Sequence, residues 1–219
     1  MQSIKINTRF ILLMIWVTAM TTACQKAYYN AWEKLGVHKR DIMVERVEKA
    51  RDSQNDAKDQ FQSALQQFSS LLNLKGGDLE EKYNTLRDAY DKSKRKAEEV
   101  SSRIVKVEDV SEALFEEWQN ELQQYSNQKL RADSEKKLAE TKIQYKKLIS
   151  AMKRAEEKMK PVLTAFHDQV LYLKHNLNTR AILSLQSELV AVEEDVTSLI
   201  REMEASIREA DSFIRTMGK

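Results

Sequence analysis

The sequence predicts an all-α fold: an elongated antiparallel coiled-coil helical bundle of about four long helices. Three observations predict it. Backbone breakers are scarce, with 4 Gly and 1 Pro in 219 residues, where average usage is about 7% Gly and 5% Pro. Apolar residues recur three and four positions apart over long stretches, the period of one helix face. Charged residues make up 32% of the chain and interleave in sign, as in EKARDSQNDAKD, which reads as a solvated helical surface. Aromatic residues reach only 7%, which suits thin helix–helix seams better than a broad globular core.

The first 23 residues read differently from the rest. Lys5 and Arg9 precede an apolar run from Phe10 to Met20, and Thr21-Thr22-Ala23 leads into Cys24, the one cysteine. A charged start, a short apolar run and small residues before a cut form the layout of a secretory signal. The apolar run is too short for a transmembrane helix, which needs roughly 20 apolar residues. The motif ahead of Cys24 resembles a lipobox, the site cut by the lipoprotein signal peptidase. Thr22 and Ala23 fit it, and Thr21 stands where a Leu-like residue is usual. The expected organisation is a lipoprotein signal peptide over 1–23, a tether over 24–38 beginning at the acylated Cys24, and a coiled-coil helical domain over 39–219. Gln25, in place of an Asp that would signal inner-membrane retention, points to the outer membrane. An uncleaved N-terminal anchor is the alternative, and it leaves the body on the same periplasmic side.

The tether carries Tyr28, Tyr29 and Trp32. Aromatics of this kind favour membrane interfaces; they equally suit stapling the first helix to its neighbours. From Lys39 to Leu74 the seam runs Met43, Val47, Ala50, Ala57, Phe61, Leu65, Phe68 and Leu72, with Gln54 in register. Gly76-Gly77 supplies the left-handed backbone of a helix end. Asp78 with Glu81 forms a capping box for the next helix, which the short connection turns back antiparallel.

That second helix carries Leu79, Tyr83, Leu86, Tyr90, Ser93, Ala97, Val100, Ile104 and Val107. The crowding of β-branched residues over 104–107 lowers helix propensity, and Asp109 with Glu112 imitates a fresh capping box, so a break is expected near Val107. Continuation of the heptad phase through Ser111, Leu114, Trp118 and Tyr125 argues for one unbroken helix. The polar stretch 126–137 thins the seam. It resumes with Leu138, Tyr145, Leu148, Met152, Ala155, Met159, Val162, Phe166, Leu173 and Leu177, and Pro161 inside it predicts a kink. Asn176 to Thr179 makes the next turn, since Asn tolerates turn backbone and Thr can cap a helix. The last helix, with Ile182, Leu185, Leu189, Val192, Val196, Leu199, Met203, Ile207, Ala210, Ile214 and Met217, must fold back on the helix holding Leu148 and Phe166. The expected arrangement is a three-helix bundle near the membrane with a helical hairpin beyond it.

The chemistry implied is sparse. Taking Lys5 and Arg9 from the 36 basic residues leaves them equal to the 34 acidic ones, so the mature chain is neutral and lacks the basic face of a nucleic-acid binder. Neither phosphate-loop glycine pattern is present, which excludes nucleotide as a partner. His167 and His175 are eight residues apart and do not form the i, i+4 pair of a helical zinc site. No cofactor, metal or catalytic residue is expected. A local polar patch at Phe166, His167 and Lys174, beside the Pro161 kink, is the one candidate ligand or partner site. The acidic cluster of Glu108, Asp109, Glu112, Glu116 and Glu117 reads as a helix start meeting its dipole.

Two segments carry a family resemblance: ALFEEWQNELQQYSNQKLR over 113–131 and MKPVLTAFHDQVLYLKHNLNTRAI over 159–182. They resemble a mainly proteobacterial family of coiled-coil lipoproteins catalogued as a domain of unknown function, and the likeness spans nearly all of the mature chain. The resemblance implies a helical lipoprotein and implies no substrate. The function expected is therefore an outer-membrane-anchored periplasmic lipoprotein. It is held by lipid at Cys24 and acts as a structural or adaptor protein through an envelope protein or self-association. A ligand-binding envelope module with its site near Pro161 is the alternative.

Overall fold

The computed structural model describes residues 37–73, 79–176 and 179–218. The signal, Cys24, the tether aromatics, the Gly76-Gly77 turn with Asp78, and Leu177 lie outside the described residues. Four α-helices account for nearly all of what is described: α1 (Lys39–Asn73), α2 (Leu79–Glu121), α3 (Gln128–His175) and α4 (Thr179–Met217). They have 35, 43, 48 and 39 residues, so at a rise of 1.5 Å per residue they are roughly 50–70 Å long. The fold is an all-α antiparallel bundle.

The helices form a ring. α1 packs on α2, α2 on α3, α3 on α4, and α4 closes back on α1. This differs from a three-helix bundle with a hairpin beyond it, because α3 joins the other three in one ring and only the outer end of the α2–α3 hairpin stands past it. Arg51 of α1 binds Asp211 of α4 at 3.1 Å, while Lys96 of α2 reaches Asp56 at 2.7 Å. The diagonal helices α1 and α3 meet through stacked rings, Phe68 on Phe166 at 4.5 Å and Phe61 on Phe166 at 6.4 Å. One continuous core runs the length of the ring.

Helix α2 runs unbroken through Val107, which corrects the expected break. Val100, Ile104, Val107 and Val110 are all buried. Burying a Val or Ile side chain is worth about 1.5–3 kcal/mol, more than the roughly 0.7 kcal/mol or less that β-branching takes from helix propensity. Asp109 and Glu112 lie within the helix. The real turn comes later. A 3-10 turn at Leu122–Gln124 ends α2, and Asn127 caps α3 by accepting from the backbone N–H of Lys129 at 3.0 Å and Leu130 at 3.2 Å. Helix α3 continues through Pro161.

The predicted seam of α4 slips by one position near its end. Ser206 and Phe213 face the core, while Ile207 and Ile214 flank it half-buried. The slip has a polar cause. Ser206 donates to Gln54 Oε1 at 2.8 Å, and both side chains are wholly buried. A polar layer inside a coiled-coil seam specifies register at some expense of stability. Ser206→Ala should destabilise the fold by about 1–3 kcal/mol, because it takes the donor from the buried Gln54 Oε1, whose neighbouring Nε2 already lacks a partner. Gln54→Leu combined with Ser206→Ala should recover most of that loss. Urea midpoints of the two variants check this pair of expectations.

Tyr145 gives the fold an alkaline limit. Burial holds its hydroxyl above its ordinary pKa, only partly opposed by hydrogen bonding with Ser111, and its ring meets Phe115 edge-on at 5.4 Å. A raised folded pKa contributes stability that is whole below the unfolded value and is lost as pH rises through the folded one. Lys153, raised by its hydrogen bond with Glu108, acts in the same direction but is half-exposed. The melting temperature should therefore fall above about pH 10, and Tyr145→Phe should make that fall shallower. Thermal melts of both proteins over the alkaline range measure it.

Candidate functional site

Helix α3 divides the three predicted patch residues between two faces, since neighbouring residues on a helix are about 100° apart. Phe166 points inward, is wholly buried and belongs to the phenylalanine stack. His167 points outward onto the seam between α2 and α3, where its ring lies 5.3 Å from that of Tyr90. Its Nδ1 is 3.7 Å from Asp168 Oδ1. Lys174 is exposed, two turns further along. His167 and Lys174 share a face, seven residues apart, and Phe166 does not join them.

The groove beside His167 has a volume of about 650 Å³. Tyr90, Lys94 and Glu98 of α2 line one wall, and Met159, Lys160 and Leu163 of α3 the other. Its walls are apolar at the base and carry both charge signs at the rim. That combination suits the alkyl part of an amphiphile or a second helix better than a compact ion. Among the described residues no group of three His, Cys, Asp or Glu side chains could hold a metal ion.

A second groove of about 650 Å³ lies between α3 and α4, bordered by Asp168, Tyr172, Leu185, Glu188 and Asp195. Gln169 lines it and is almost fully buried, and no hydrogen-bond partner reaches its Oε1. Sequence reasoning passed over Gln169. The signal for it was its position, three residues after Phe166 and four before Leu173, a seam site holding an amide just as Gln54 does.

A third concavity sits where the chain enters α1. It has a volume of about 600 Å³ and is lined by His38, Lys39, Leu114, Glu117, Trp118 and Met217. Lys39 binds Glu117 at 2.7 Å, and Arg40 Nε donates to the carbonyl of Met217 at 2.7 Å. The start of α1, the end of α4 and the end of α2 therefore share one level. The α2–α3 connection, from the 3-10 turn at Leu122–Gln124 to the start of α3 at Gln128, stands beyond that level. Trp118 Nε1, donating to Ser134 Oγ at 2.8 Å, ties the two arms together. No helix among the described residues is long and apolar enough to cross a membrane.

A family model described as "Protein of unknown function (DUF2959)" matches residues 28–217, which takes in all four helices. No curated protein matches the chain.

Proposed function

The chain belongs to the DUF2959 family, and from that premise we propose that it is a proteobacterial-type lipoprotein of the outer membrane, facing the periplasm, that acts as a structural or adaptor rod without catalytic activity. The observation that carries this reading is the place where the chain enters the bundle. Helix α1 starts at one end of the rod, level with Met217. Cys24 stands shortly ahead of it, behind the charged and apolar run of a secretory signal. Lipid on Cys24 would hold the bundle by that end and leave its length free to reach another envelope component. Without residues 1–23 the chain is neutral, which fits contact through helix faces rather than through a polyanion.

Leu183 and Val190 are well exposed on α4, one heptad apart, the spacing of a seam that recruits a further helix. Photo-crosslinkers placed at these two positions in cells should capture an envelope protein or a second copy of the chain. No adduct from either position, with a monomeric lipid-free protein, would remove the adaptor role.

The groove at His167 supports a second reading, a ligand-binding envelope module. Lipid or cell-wall fragments should then raise the melting temperature of the protein, and His167→Ala with Lys94→Ala should abolish that rise.

A further inference from the structure

We propose that the tip of the α2–α3 hairpin is a membrane contact: Tyr125 and Leu130, flanked by Lys129 and Arg131, seat in the headgroup region of an anionic bilayer. Exposure, charge and place each point there. Tyr125 is 41% exposed and Leu130 54%, at the outermost turn of a hairpin that stands past the described ends of α1 and α4. From Leu122 to Ala132 the chain carries two basic residues and no acidic one, with Glu121 and Asp133 bounding that stretch. The positive end of the α3 dipole also faces outward there. Tyrosine concentrates at the membrane–water interface, and basic residues beside it are drawn to anionic lipid.

The opposite end of the bundle also exposes large apolar residues, Leu171, Tyr172 and Leu183. Exposed Lys174 and Arg180 accompany them, much as Lys129 and Arg131 do at the hairpin, so place rather than charge tells the two ends apart. The chain enters at the hairpin end. The hairpin projects roughly 15 Å past the first turn of α1. Residues 25–38, at no more than about 3.6 Å each, reach several times that distance. A membrane that held Cys24 would therefore lie within reach of the tip. The inference rests on the anchored reading for this geometry alone. Tip and lipid together would make a two-point contact that stands the rod on the surface instead of leaving it swinging on a tether.

The test uses the full chain, extracted from membranes and reconstituted in vesicles of phosphatidylethanolamine and phosphatidylglycerol. Leu130→Cys and, as the opposite-end control, Arg180→Cys are labelled with an environment-sensitive fluorophore. Cys24 is the one native cysteine, and acylation blocks its thiol, so an anchored chain takes one label and an unacylated chain takes two. The expected result is blue-shifted emission quenched by nitroxide lipids at position 130, with neither change at 180. Equal, unquenched emission at both positions overturns the proposal. So does a blue shift at 130 that nitroxide lipids leave untouched and dilution removes, since a second copy would then cover the tip. Two labels per chain, with quenching still specific to 130, would remove the lipid anchor and retain the tip contact.

Discussion

Phe166→Ala is expected to destabilise the protein by about 3–5 kcal/mol, the range for truncating a buried phenylalanine. The side chain is wholly buried and stacks on Phe68 and Phe61, so its removal opens a cavity between diagonal helices that rigid helix backbones cannot close. Total stability for domains is about 5–15 kcal/mol, so the variant should lose a large part of it. His167→Ala, one residue away on the exposed face, should change stability by no more than about 0.5 kcal/mol, as surface substitutions do. Urea unfolding of the two variants makes the comparison. Equal small effects would mean that Phe166 is not a core residue and would revive a surface patch at 166–167.

Cys24→Ala should have the largest effect on where the protein resides. A single acyl chain holds a protein only marginally, with an association constant of about 10⁴ M⁻¹, and two or more signals make attachment stable. On the lipoprotein reading, wild-type Cys24 carries a diacylglycerol and an N-linked chain. The alanine variant offers no thiol to acylate, so the signal peptidase leaves residues 1–23 in place, and their apolar run keeps the chain in the inner membrane. Fractionation on a density gradient should show the protein moving from outer-membrane to inner-membrane fractions. An unchanged distribution would mean that Cys24 does not set the location.

Much of the fold was legible because the seams are long. Spacing alone identified Met43 to Leu72, Leu86 to Val107, Leu148 to Leu173 and Ile182 to Met203 as core faces, and each lies against the bundle interior. The failures came where a local rule met a tertiary one. Propensity suggested a break at Ile104–Val107, but burial of Ile104 and Val107 overrides it. The turn at 122–127 was hidden because Leu122 and Tyr125 sustain the period, and because the Asn127 cap has Leu130, rather than Glu or Gln, at the third position of a capping box. At Ser206 the apolar Ile207 next door drew the seam one residue away from a serine whose role depends on Gln54, 152 residues distant. The candidate patch failed for a different reason. Phe166 and His167 are adjacent in sequence but face opposite environments, and only the groove residues of α2, Tyr90 above all, show what His167 meets.

The account turns on Cys24. The most direct measurement is the intact mass of the wild-type chain extracted from membranes. A mass equal to residues 24–219 plus three acyl chains is the predicted result, and it establishes the lipid anchor on which the envelope-rod reading depends. A mass equal to the whole 219-residue chain with no added lipid would contradict it, and the outer-membrane reading would fall with it.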